Sequence, residues 1–213
     1  MWVFNGVARV ILFLLPVLLV NWSVVYKSNS ITVFSRPVRG SSFLEVKGVT
    51  KVKAPLAGLV LLLHDAYSGC HSWMDYCLEK KLLKRAGLLA YYYNVSKVPW
   101  PFKNRDIVVK TEVLQNAETK EVLVLFSGIP NFVPERKEYE RIQKLKGFWA
   151  FKPLAGNSVQ VTYQFYAEPG GNLKAWMVNS FTEKNPYKAL RKLREVIKLE
   201  RYRSARLPEI EEP

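Results

Sequence analysis

The chain has 213 residues, enough for one domain with a sizeable core and too few for two ordinary domains plus a leader. Hydrophobic residues make up 49% and aromatics 13%, which excludes a disordered chain. Lys and Arg total 32 against 18 Asp and Glu, so the formal charge of +14 calls for an anionic partner; with no helix-turn-helix, finger or aromatic RNP-like pattern in view, that partner is expected to be an anionic membrane surface and not nucleic acid.

Residues 7–20, VARVILFLLPVLLV, form a nearly unbroken apolar stretch. It is shorter than the ~20 residues of a spanning helix and close to the apolar region of a signal peptide. No small-x-small cleavage site follows at Asn21, Trp22 and Ser23. Residues 1–21 are therefore expected to be a cleaved signal peptide or a retained membrane anchor. Either places the domain outside the cytoplasm: periplasmic or anchored facing the periplasm in a bacterium, in the secretory pathway of a eukaryote.

Residues 31–38 and 43–53 alternate as strands do, with Gly40 and two serines marking the turn between them. Pro55 then opens a short apolar helix, LAGLVLLLHDA. A second short helix is expected around Trp73 and Met74. Cys70 and Cys77 are the only cysteines, and in an oxidising compartment they permit one disulfide. On one continuous helix they would lie ~10 Å apart, so a bridge needs a chain break near Trp73; two buried thiols are the alternative. His64 and His71 are too few to complete a metal site, and neither metal nor cofactor is expected.

Six candidate strands follow, at 77–85, 88–96, 106–116, 121–129, 147–154 and 158–168. In the last, Val159, Val161, Tyr163 and Phe165 share one face and Gln160, Thr162 and Gln164 the other. Pro169-Gly170-Gly171 breaks the sheet, and helix is expected to about Tyr202, interrupted or kinked at Asn185-Pro186. Residues 22–203 form the expected domain and 204–213 a flexible acidic tail. This order describes a curved antiparallel sheet gripping a helix, with a packed core or a cavity between them.

The segment YYYNVSKVPWPFKNRDIVVKTEV at 91–113, above all PWPFKNRD at 99–106, resembles the START family, the lipid-transfer domains related to the steroidogenic acute regulatory protein. FWAFKPL at 148–154, YQFYAEPGG at 163–171 and AWMVN at 175–179 extend the likeness, which is greatest to bacterial members with an export signal. The resemblance implies an α+β helix-grip fold that binds and transfers one phospholipid, sterol or similar molecule without catalysis. Strand alternation then nominates Tyr91, Tyr93, Ile107, Val109, Thr111, Val124, Phe126, Val161, Tyr163 and Phe165 as cavity lining, roofed by Trp176 and Phe181. The loop 98–105 falls where the family has a mobile loop at the cavity mouth, and Trp100, Phe102, Lys103 and Arg105 are expected to gate it and touch the membrane. The pair Arg105-Asp106 recurs in the family, as a structural ion pair or turn-fixing element or as a ligand contact. Sterol-handling members carry a buried acid and arginine where Tyr92 and Thr111 stand here. Related helix-grip domains include polyketide cyclases, so a cyclase-like or hydrolytic enzyme using His64 or Glu168 is one alternative and a structural envelope module another.

Overall fold

A computed structural model describes residues 21–68 and 76–213, side chains of 66–68 aside. The expected leader, the short helix at Trp73 and the Cys70–Cys77 bridge lie outside the described residues. Ten strands build one sheet: β1 (Ser23–Ser28), β2 (Ile31–Pro37), β3 (Leu44–Lys53), β4 (Cys77–Ala86), β5 (Leu89–Ser96), β6 (Arg105–Gln115), β7 (Val122–Gly128), β8 (Glu140–Arg141), β9 (Lys144–Leu154) and β10 (Ser158–Glu168). Its order is β1-β2-β3-β10-β9-β7-β6-β5-β4, antiparallel throughout, with the two-residue β8 pairing parallel to the start of β6. Among the described residues three helices accompany the sheet: α1 (Leu56–Ser68), α2 (Ala175–Val196) and α3 (Glu200–Arg203). Among the described residues no helix is long and apolar enough to cross a membrane.

β1 was not foreseen as a strand, because Val24 and Val25 continue the apolar leader in sequence. Its residues up to Lys27 are exposed, and a tight turn with positive φ at Asn29 and Ser30 pairs it to β2. α1 is apolar on nearly every side, with Leu56, Leu59 and Leu62 fully buried, as a helix enclosed by protein must be.

α2 lies across β2, β3 and β10 through Ala189, Leu190 and Leu193. The close approach depends on Gly48 of β3: a Cβ there would meet Leu190 Cδ1 at 2.7 Å and Pro186 Cβ at 2.8 Å. Pro186 does not interrupt α2, which runs through it unbroken, and its buried ring packs on that glycine. The helical stretch does end sooner than expected: α2 stops at Val196, and a separate α3 carries Tyr202.

The C-terminal tail is docked, contrary to the flexible segment expected from its acidity. Glu212 accepts hydrogen bonds from the amides of Leu56 and Ala57, each 2.9 Å, and so caps the start of α1. Ile210 is buried, and the Gln115 side chain bonds both backbone polar groups of Glu211.

Candidate functional site

α2 covers only the β2–β3–β10 side of the concave face. Over the other side, a cavity of about 290 Å³ lies between α2 and the β4–β7 strands. Ile107 and Val109 of β6, Phe126 of β7, Leu145 of β9 and Tyr163 and Phe165 of β10 give it an apolar wall. Those aromatics are mutually supported: Tyr163 stacks on Trp149 at 4.0 Å and on Phe165 at 5.1 Å.

Tyr76, Phe165 and Asn185 also line a second space of about 210 Å³, so the two adjoin along α2. This outer part is bounded by Val98, Pro99 and Phe102 on one side and Leu173, Met177, Val178 and Phe181 on the other. It is the mouth, between the 97–104 loop and the first turns of α2. A separate hollow of about 150 Å³ under α1 takes in His64, Tyr92, Thr111 and Val124.

The loop is anchored at both ends. The Val98 amide donates to the Asn104 side chain at 3.0 Å, and the Lys97 amide to the Tyr76 carbonyl at 2.6 Å. Arg105, only 4% exposed, donates to the carbonyls of Lys103, Pro169 and Gly170, tying the loop to the turn before α2. Arg105 therefore fixes turns and is no part of a membrane-facing rim. Trp100 at the loop tip is 92% exposed. Phe102 lines the mouth, and exposed Lys103 donates to the Lys137 carbonyl at 3.0 Å.

The structure brings Ile107, Val109, Phe126, Tyr163, Phe165 and Phe181 together around the hollow. Thr111 and Val124 face the pocket under α1, and Val161 is fully buried in the core. Trp176 is exposed and roofs nothing. The lining residues of α2 recur three or four apart at 177–178, 181–182 and 185, and position 176 is turned about 100° off that stripe. Tyr91 and Tyr93 lie on the outer face: Tyr91 stacks on Phe132 at 4.9 Å, and Tyr93 joins a small outer cluster with Val95 and Val108. Three consecutive tyrosines carry no alternation signal, and a covering segment at 129–141 lets both faces of β5 be buried.

Asp106 does not pair with Arg105. Arg141 grips it through Nε at 2.8 Å and Nη2 at 2.9 Å, and the Tyr93 hydroxyl donates to it at 2.8 Å. Burial pushes the Asp106 carboxyl up, but these donors and the Arg141 charge outweigh it and hold the group below the ordinary carboxylate range.

Sequence reasoning missed the polar side of the cavity. Lys80, Asn94 and Ser96 line it from β4 and β5, and Asn185, Lys188, Arg191 and Lys192 from α2. Lys80 stands in a run of lysines that reads as a solvated face, yet desolvation pushes its pKa down to about 8. Among the described residues, those lining the two joined spaces include no carboxylate and no imidazole. His64 is in the separate hollow, and Glu168 accepts from Lys144 at 3.1 Å and from Tyr166 outside both spaces. Among the described residues no three His, Cys, Asp or Glu side chains converge as metal ligands.

A family model described as START domain matches residues 17–202. An uncharacterized protein of Pseudomonas aeruginosa is 33% identical over 174 residues, covering 82% of this chain and 85% of that one. The crystal structure of a STAR-related lipid transfer protein from Xanthomonas axonopodis shares 32% identity with a TM-score of 0.77, over 84% of this chain and 99% of that chain. Human STARD10, at 21% identity and TM-score 0.70, covers 82% of this chain and 71% of its own and shares the fold.

Proposed function

The chain belongs to the START domain family, and from that premise we propose that it binds one hydrophobic lipid in the hollow between sheet and α2 and carries it between membranes, without catalysis. The observation that carries this reading is that two adjoining spaces, about 290 and 210 Å³, share Tyr76, Phe165 and Asn185 and lead from the apolar wall of the sheet to a mouth edged by Phe102 and Phe181. Their size suits a small-ligand site of roughly 300 Å³ or more. The 32% identity to a STAR-related lipid transfer protein supports the same ligand class.

Entry is through the mouth, where the loop and the start of α2 meet the membrane. Trp100 and Trp176, 92% and 72% exposed, stand on those two elements with Lys97, Lys103 and Lys174 nearby, a pairing of indoles and cations suited to an anionic lipid interface. We place the domain outside the cytoplasm, carried by the apolar segment at 7–20. The absence of a convergent acid and base among the described lining residues supports binding over a cyclase-like reaction.

Native mass spectrometry of the protein purified from its expressing cells tests the reading. The expected result is a complex one lipid heavier than the chain, with that lipid recovered on extraction. A chain that stays empty, and takes up no lipid from vesicles, overturns it.

A further inference from the structure

The chain enters the domain at the edge that carries the mouth. β1 runs antiparallel to β2, and its first residue, Ser23, stands opposite Ser35 near the end of that strand. A short turn then leads into β3, and α2 holds it through Asn179, whose side chain accepts from the Leu44 amide at 3.0 Å and donates to the Ser42 carbonyl at 3.1 Å. Glu45 of β3 faces Tyr166 near the end of β10. The turn after β10 accepts in its turn from Arg105, which closes the 97–104 loop. The start of β1, the start of α2 and the loop therefore share one edge of the molecule. The C-terminus lies at the opposite edge, where Glu212 caps α1 just past the end of β3.

Little chain separates this mouth edge from the apolar segment at 7–20. Trp22 is already fixed: the Arg36 guanidinium lies over its indole at 4.4 Å and the Lys47 ammonium at 4.2 Å, while Arg36 also pairs with Glu45 at 2.6 Å. The two steps from Val20 to Trp22 span at most ~7 Å. The 11-residue β10, by comparison, runs ~36 Å from one edge of the domain to the other. An indole among cations suits a membrane interface, and Val24, two residues on, is 59% exposed. The first small-x-small pair after the apolar stretch is Ser28 and Ser30, and a cut there would take β1 off the sheet.

We infer that the segment at 7–20 stays on the chain as an anchor, and that the mouth is held against the very membrane in which that anchor sits. The partner of this edge is the protein's own bilayer. This rests on the membrane-facing mouth proposed above and adds which membrane it faces: the one holding the anchor is one of the two between which lipid moves, and exchange with it needs no diffusion of the domain. An anchor at the C-terminus would hold the domain the other way up, with the mouth turned from the surface.

The test takes the full chain from the membrane fraction of expressing cells, measures its intact mass, and reconstitutes it into vesicles of phosphatidylcholine and phosphatidylglycerol. The mass should include residues 1–20; a chain that begins later overturns the anchor. With brominated acyl chains in the host vesicle, a variant carrying Trp100→Phe and Trp176→Phe should lose about a third or more of the tryptophan quenching seen in the parent, since both indoles face that membrane. Equal quenching overturns the seating of the mouth. Uptake of a pyrene-labelled phospholipid from the host vesicle should be roughly tenfold faster than from separate vesicles at equal lipid concentration, because the tether raises the effective concentration. Moving the apolar segment behind Pro213 keeps the tether and inverts the domain, so this advantage should fall several-fold, with urea unfolding matched to the parent as the check on folding. A moved segment that preserves the advantage overturns the orientation. Uptake from neither vesicle by either chain, with the quenching as expected, overturns the lipid-binding reading and leaves the seating on the membrane in place.

Discussion

Tyr93 and Asn94 are consecutive on β5, and the strand turns them to opposite faces. On the outer face, Tyr93 donates to Asp106, which Arg141 grips with two further hydrogen bonds; the remaining Arg141 N–H groups reach the carbonyls of Pro130, Val133 and Pro134. Every N–H of that guanidinium is used. On the inner face, Asn94 keeps an unpartnered amide oxygen beside Lys80. Polar groups that only hold the fold are saturated by the chain itself, whereas the Asn94 amide oxygen at the cavity retains capacity for something that arrives later.

The sharpest way to break this comparison is Arg141→Leu. It strands a buried carboxylate and releases the segment 130–141 from the outer face, for which the expected loss is about 3–5 kcal/mol. Urea unfolding should show a large fall in midpoint with little change in slope. A loss below about 1 kcal/mol would show that the outer cluster is not structural. Because the Asp106 pKa is lowered in the folded state, its contribution is full above the unfolded value of about 4 and is lost as pH falls through the folded value. Asp106→Asn should lose stability at neutral pH and give up this part of the acid sensitivity.

The inner side answers with the opposite sign. Asn94→Leu keeps the volume and removes an unmet polar atom, so the delipidated protein should be unchanged or up to about 1 kcal/mol more stable. The same urea measurement decides it. A loss as large as that of Arg141→Leu would make Asn94 a structural residue and erase the contrast between the faces.

The two faces were also unequally legible in the sequence. Period-two alternation is clear in β10, where Tyr163 and Phe165 face the hollow, and in β6, where Ile107 and Val109 do. It failed in β5, because Tyr91, Tyr92 and Tyr93 are all amphipathic and a strand covered on both sides has no wet face to set the phase. Lys80 was invisible for a related reason: a lysine among lysines looks solvated, and only the sheet register sets it against Asn94. Arg141 stands 35 residues from Asp106, a pairing that no local pattern encodes. The docking of Glu212 on the start of α1 likewise joins ends of the chain that are neighbours only after folding.

The smallest expected effect is a pH dependence at Lys80. Its folded pKa of about 8 lies below the ordinary lysine value of 10.5, so between these values the unfolded chain holds a proton that the folded chain has released. Stability therefore rises with pH across that window, and below about 8 the cost of the buried charge is carried in full. Other groups titrate in the same range, so the comparison is with Lys80→Met. The melting temperature of the delipidated variant should climb less between pH 8 and 10 than that of the parent protein, by a degree or two. A parent and variant whose pH profiles run parallel would place the Lys80 ammonium in water and leave the lysine with no part in the stability of the inner face.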